Sequence, residues 1–237
     1  MKIKLKYLLW VPLVLVWVSC TDPVRPAPPD EIPVDEPARS FLALGDSYTI
    51  GQSVPVSDRW PNQLVGQLRE KGFDMADPLI IAMTGWTTAN LLQAMQTAQV
   101  TPPYDMVTLL IGVNDQYQGR TLESYRQGFT ALLTRAVELA EADPARVIVV
   151  SIPDYSVTPF AEMRNPARIR TALNQFNALN LELALAAGVH YVDITPGSRE
   201  AAADLSLLAP DQLHPSGKMY AEWVKLILPV AEGILEN

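Results

Sequence analysis

Cysteine occurs once in these 237 residues, at position 20, and histidine twice. With one thiol no intramolecular disulfide can form, so a folded domain must be held by its core alone. Two histidines, no further cysteine and no second cluster of carboxylates make a poor zinc site, so no metal is expected. Positive charge is scarce as well: 18 Lys+Arg face 26 Asp+Glu, a formal charge of −8. No basic stripe is left for nucleic acid or anionic lipid. Internal repeats are lacking, and the one biased tract is a proline-rich stretch near the N-terminus. The main apolar run, Tyr7 to Val18, holds roughly twelve residues against the ~20 that a membrane-spanning helix needs. What is there is a chain 49% hydrophobic, long enough for one domain of roughly 200 residues with a full core.

Lys2, Lys4 and Lys6 stand before that apolar run, which gives residues 1–19 the charged and apolar regions of a secretory signal. Cys20 follows directly, in Trp17-Val-Ser-Cys20, where such a signal is cut. The segment resembles a bacterial lipobox, with Trp17 in place of the usual leucine, in which the cysteine becomes the lipidated first residue. A soluble secreted protein cleaved nearby is the alternative. Removing residues 1–19 leaves 15 basic and 26 acidic side chains, a formal charge of −11. Residues 20–39 carry six prolines interleaved with Asp22, Asp30, Glu31, Asp35 and Glu36. That composition forms neither helix nor sheet ladder. As an extended spacer at about 3.1 Å per residue it reaches roughly 50 to 60 Å. The expectation is an exported lipoprotein, membrane-anchored and facing the periplasm or the cell surface.

From Ser40 onward short apolar runs alternate with amphipathic stretches. The runs are Phe41 to Leu44, Leu79 to Ala82, Met106 to Ile111, Val147 to Ile152 and Val189 to Ile194. Near-continuous apolar character predicts strands buried on both faces, as in a parallel sheet. Between them the helix signals are readable. Pro61 and Gly72 bracket one helix, Thr87 or Thr88 starts another, and Thr121 caps a third. Asn165-Pro166 opens a fourth that Gly188 closes, and His214-Pro215 is placed at the start of the last. Five strands alternating with helices predict a doubly wound α/β domain over residues 40–237.

Ligands of such sheets bind outside the carboxyl ends of the strands, where strand order reverses. That rule points to the turns Gly45-Asp46-Ser47, Thr84-Gly85-Trp86 and Gly112-Val113-Asn114, and to residues 153–160. Ser47 at a strand tip can be a nucleophile, although Gly-Asp-Ser is also ordinary turn chemistry. His190 lies inside an apolar run and is expected to pack or to bond a backbone group. His214 is the candidate general base. Asp211, three residues earlier, can take the proton on the other ring nitrogen and fix the tautomer. Equally, Asp211 can cap a helix and leave His214 an exposed loop residue.

Ala43 to Thr49, Thr84 to Thr88, Ile111 to Asp115 and Asp211 to Pro215 together resemble the four blocks of the SGNH (GDSL) hydrolase family, in order and over the whole of residues 40–236. The resemblance implies a flavodoxin-like three-layer sandwich around a parallel five-stranded sheet, and cofactor-independent hydrolysis of esters through an acyl-enzyme. It implies Ser47 as nucleophile, His214 as base and Asp211 as orienter. The oxyanion donors would be the Ser47 and Gly85 backbone N–H groups and the Asn114 amide. Asp46 and Asp115 are expected to support their loops. Gly-x-Ser-x-Gly is missing, so an open site is expected in place of a strained nucleophile elbow.

Trp86, Tyr117, Tyr155 and Phe160 are candidate substrate contacts at the mouth, with Trp60 placed there or in the core, and residues 154–164 form a lid or acyl wall. Expected substrates are lysophospholipid-like or short acyl esters, or acylated carbohydrate. The alternative is a silent binding lipoprotein on the same fold. A flavin-binding domain is disfavoured because Asp46 to Gly51 is no glycine-rich phosphate loop.

Overall fold

In the computed structural model residues 38–98, 100 and 102–236 are described. The expected signal segment, Cys20 and all but the last two linker residues lie outside them. The five apolar runs form five strands: β1 (Phe41–Gly45), β2 (Leu79–Ala82), β3 (Met106–Leu110), β4 (Val147–Val150) and β5 (His190–Val192). All pair in parallel, in the order β2-β1-β3-β4-β5. Every residue of β1, β3 and β4 is buried, whereas the edge strands β2 and β5 are partly exposed. Each large apolar side chain sealed in this way contributes about 1.5 to 3 kcal/mol, which is how a domain without a disulfide stands. The strand β4 ends at Val150; the Ser151 N–H still donates to the Val192 carbonyl of β5, while its hydroxyl oxygen accepts the Ile194 and Thr195 N–H groups.

The helices are α1 (Ser47–Ile50), α2 (Trp60–Glu70), α3 (Thr88–Thr97), α4 (Val113–Tyr117), α5 (Leu122–Leu139), α6 (Pro166–Ala187), α7 (Thr195–Ser198) and α8 (Gly217–Leu235). Right-handed crossovers put α2 with α8 on one face and α3, α5 and α6, packed in sequence, on the other. Among the described residues no helix is long and apolar enough to cross a membrane. The caps fall where composition places them. Thr87 and Asn90 form a reciprocal capping box on α3, and Thr121 accepts the Ser124 N–H on α5. Asn165 caps α6, and Gly188 ends it in the left-handed conformation. Trp60 is core, packed with its ring centroid 6.2 Å from that of Phe41.

One helix starts later than its sequence suggests. Ser216, not His214-Pro215, begins the last helix, by accepting the Met219 N–H. Residues 214–216 instead run alongside 207–209: Ala209 N–H donates to the His214 carbonyl, Ser216 N–H donates to that of Leu207, and Leu208 and Pro215 form an antiparallel bridge. His214 therefore sits in a hydrogen-bonded loop two residues before the cap.

The chain leaves β1 for the outer strand β2 and crosses back to β3 on the other side, so order reverses between β1 and β3. Gly45 pairs with both Ala82 and Leu110, which aligns the carboxyl ends of all three strands. Glycine is required at that end. A Cβ on Gly45 would lie 2.1 Å from Thr49 Oγ1 and 2.5 Å from the Leu110 carbonyl, so only a bare Cα lets α1 fold back over the strand tips.

Candidate active site

Ser47 is the first residue of α1, and its neighbour Asp46 is the cap: Asp46 Oδ1 accepts the Tyr48 N–H at 3.0 Å. The serine hydroxyl is thus spared capping duty and carries no hydrogen bond to another described residue. Ser47 lines an open cleft of about 170 Å³ together with Gly85, Asn114 and His214. Three loops and the segment before α8 meet there, as the strand register dictates.

His214 is oriented from two sides. Its Nδ1 stands 2.7 Å from Asp211 Oδ2, an arrangement that assigns the proton to Nδ1 and leaves the lone pair on Nε2. The Tyr48 ring lies 5.5 Å from the imidazole, centroid to centroid, and is itself backed by Trp223 of α8 at 6.4 Å. Asp211 is fixed in turn. Its Oδ1 accepts the Leu213 and His214 N–H groups at 3.0 and 2.9 Å, closing an Asx turn around Gln212, whose φ is +57°. Its Oδ2 accepts a second donor, Ser53 Oγ, at 2.6 Å. Partial burial pushes this carboxyl up, but the bonds from Ser53, His214 and Leu213 outweigh it and hold the pKa down at about 2. Ser47 and His214 line the same cleft without a direct hydrogen bond between them, a contact that tightens in substrate complexes.

The cleft also holds unused donors. Neither the Ser47 nor the Gly85 N–H has an acceptor among the described residues. Gly85 has φ of +84° with open space where a side chain would sit, a backbone shape that needs glycine and keeps the approach clear. Asn114 spends one N–H on the Trp86 carbonyl, at 2.9 Å, which fixes its amide and leaves the other free. Three donors and a hydroxyl around one space can bind a developing oxyanion beside a nucleophile. A single such donor is worth about 2.7 to 4 kcal/mol in acyl transfer.

Tyr117, Tyr155 and Phe160 form the far wall, a triangle of rings with centroids 6.2 to 6.4 Å apart. Tyr155 donates its hydroxyl to Gln116, and burial, followed by the neighbouring Tyr117, pushes its pKa up to about 12, so it stays a neutral phenol. The segment carrying this wall is pinned at its start, where buried Asp154 pairs with Arg199 at 2.8 Å and Arg170 at 3.3 Å. Trp86 departs from the expectation of a substrate contact. Its ring is outside the cleft lining, half-buried against the core, because the Thr87 cap turns the chain into α3 there; only its carbonyl serves the site. His190 is on the opposite end of the sheet, with Nε2 at 3.0 Å from the Ala145 carbonyl. Among the described residues no group of three or more His, Cys, Asp or Glu is arranged to hold a metal.

The sequence reading missed Ser53 and Gln52. Thr84 Oγ1 donates to Gln52 Oε1 at 2.5 Å, so the loop after α1 holds both the Gly85 turn and, through Ser53, the Asp211 carboxylate. The partners are 32 and 158 residues away, and nothing local in the sequence marks them.

Asp46 and Asp115 act as loop supports. Asp115 accepts the Thr88 N–H at 2.9 Å and hydroxyl at 2.7 Å, tying α4 to α3. Full burial pushes the Asp46 carboxyl up to about 8, with Asp115 adding to the rise and the Tyr48 N–H opposing it. The folded state therefore holds this proton more tightly than the unfolded chain. Its contribution is fully present below the unfolded value near 3.8 and is lost as pH rises toward 8. Asp46→Asn keeps an acceptor for Tyr48 and removes the titration. The variant is expected to gain stability over the wild type progressively between pH 5 and 8, by up to a few kcal/mol. Denaturant melts at several pH values check this; a difference constant with pH refutes it. Asp115, also raised by burial, is present in both proteins, and losing its charged neighbour at position 46 favours its ionised form, which adds to the gain at the upper end of the range.

The GDSL-like Lipase/Acylhydrolase family model matches residues 43–222. An arylesterase from Vibrio mimicus is 29% identical over 123 residues, half of this chain and 58% of the relative's length. Among solved structures, the lipase/acylhydrolase from Enterococcus faecalis has 19% identity and a TM-score of 0.66, over 82% of this chain and 96% of the other. The acetylxylan esterase Axe2 from Geobacillus stearothermophilus has 18% identity and a TM-score of 0.63, over 81% and 94%. These two share the fold. With the model spanning all four motif blocks up to and including the loop of Asp211 and His214, the chain belongs to the GDSL-like lipase/acylhydrolase family.

Proposed function

We propose that this protein is a serine esterase that hydrolyses carboxylic esters through an acyl-enzyme on Ser47. The observation that carries it is the shared cleft: an unbonded hydroxyl, an oriented imidazole and three free donors line one space at the switch point of the sheet. Ser47 Oγ attacks the ester carbonyl while Nε2 of His214 takes its proton. Asp211 stabilises the imidazolium so formed without itself becoming protonated. The carbonyl oxygen gathers negative charge between the Ser47 and Gly85 N–H groups and the Asn114 amide. As the tetrahedral species collapses, His214 gives the proton to the leaving alcohol. Water then attacks the acyl-enzyme with His214 again as base, and the acid departs.

A small open cleft of about 170 Å³ with an aromatic wall suits short acyl esters or a sugar-borne acetyl group, and the proteins similar to this chain include an arylesterase and an acetylxylan esterase. Lysophospholipid-like esters are a further candidate class. We also propose that residues 1–19 are a signal, that Cys20 is lipidated, and that residues 20–39 hold the domain off a membrane at the periplasmic or outer surface. The test is hydrolysis of aryl esters graded from acetyl to long acyl, with acetylated xylan and a lysophospholipid alongside. Turnover is expected to be highest at the short end. No turnover of any ester would favour the alternative, a silent binding module on the same fold.

A further inference from the structure

Of the eleven described arginines, six have a carboxylate within 4 Å: Arg69, Arg126, Arg135, Arg146, Arg170 and Arg199. Arg39 donates to the Leu235 carbonyl, and Arg59 packs with its Nε buried. The remaining three, Arg120, Arg164 and Arg168, lie together along one open groove of about 700 Å³. No carboxylate lines that groove, in a chain where acidic residues outnumber basic ones by eight. It shares Tyr117 and Tyr155 with the catalytic cleft, so the two spaces meet at the aromatic wall.

We propose that this groove binds an anionic group of the substrate, and that the protein's preferred ester carries a negative charge on the side that lies beyond Tyr117. This deepens the esterase reading and rests on it. Guanidinium groups bind carboxylate and phosphate through paired, charge-assisted hydrogen bonds. An arginine already paired with a carboxylate has little to offer a ligand; these three keep their charge open. Arg164 is also held in place: its guanidinium carbon stands 3.9 Å over the Phe160 ring, and its Nη1 donates to the Phe160 carbonyl. A cation is thus fixed on a residue that lines the catalytic cleft. Arg120 is close enough to the buried Asp115 to help hold its charge, without an ion pair, and so remains available at the surface. Tyr117, 54% exposed, offers a flat apolar bridge on which the uncharged middle of an ester can lie between the two spaces.

Carboxylate and phosphate present the same chemistry to arginine, and the experiment separates them. The kcat/KM is measured at low salt for a neutral aryl acetate and for two analogues of matched leaving-group acidity, one bearing a carboxylate and one a phosphate on the leaving group. At least one charged ester is expected to exceed the neutral one by about tenfold, the scale of two partly exposed ion contacts. The charged arm with the larger ratio identifies the anion. In Arg120→Gln/Arg168→Gln, with Arg164 left in place on Phe160, the ratio is expected to fall to about one, as it should for the wild type in high salt. Calorimetric titration of Ser47→Ala with the same esters reads the groove without turnover. Should the wild type hydrolyse none of them while Ser47→Ala still favours a charged one, the esterase reading fails and the groove stands. A wild-type ratio at or below one for both charged esters overturns the proposal, and so does a ratio that the double substitution leaves unchanged.

Discussion

Ser47→Ala is expected to lower kcat on an aryl ester by about 10⁴- to 10⁶-fold while leaving the fold as it is, the scale seen when a serine nucleophile is deleted. The selectivity of that loss follows from the local structure. Asp46, not Ser47, caps α1, and the Ser47 hydroxyl bonds no other described residue, so its removal opens no buried polar gap. The Ser47 N–H survives the substitution, and Gly85 and Asn114 are untouched, so substrate is still bound and its carbonyl still polarised. What disappears is the atom that forms the covalent bond. Mass spectrometry separates this from a general loss of activity: an aryl phosphonate should add to the wild type and not to the variant. Equal hydrolysis rates for the two proteins, or an unchanged adduct on Ser47→Ala, would exclude Ser47 as nucleophile.

The sheet was legible because its three central strands are buried on both faces, so apolar composition alone marks them. Helix ends were legible wherever one side chain decides them, as Thr121 and Asn165 do. The last helix was misplaced because Pro215 suits a first helical position, while the competing signal, the bridge to Leu208, is a tertiary contact. Trp86 was misjudged for a related reason. Adjacent residues in a turn point in different directions, and the cap at Thr87 decides which of them faces the cleft. Residues whose role is carried by their own backbone or by a near neighbour could be named from sequence. Gly85 and the Asp211-His214 pair belong to that group; the oxyanion role of Asn114 came from the family resemblance, since its amide is fixed by the Trp86 carbonyl 28 residues away. Ser53 and the arginine groove could not, since their meaning lies in which distant residues they meet or fail to meet.

The same distinction bears on Asp211→Asn, expected to cost about 10⁴-fold in kcat with little loss of stability. The Asx turn selects the orientation of the new amide. Two backbone N–H groups, from Leu213 and His214, point at the Oδ1 position, so the asparagine oxygen must stay there. Its NH₂ then replaces Oδ2, between Ser53 Oγ and His214 Nδ1. Ser53 adapts, because a hydroxyl accepts as readily as it donates. His214 adapts only by changing tautomer, with its lone pair on Nδ1 and its proton on Nε2, and an imidazole protonated toward Ser47 cannot take the serine's proton. Ser53→Ala, which leaves Asp211 Oδ2 to His214 alone, should cost far less, about tenfold. The pH profile supplies a second check. With its pKa held at about 2, Asp211 is ionised well below neutrality, so activity lost on mild acidification does not report on this carboxylate. A loss under tenfold for Asp211→Asn, with melting unchanged, would show that His214 is oriented without this carboxylate. A loss that rises to the full 10⁴-fold for Ser53→Ala as well would show that the hydroxyl, and not the tautomer, governs the base.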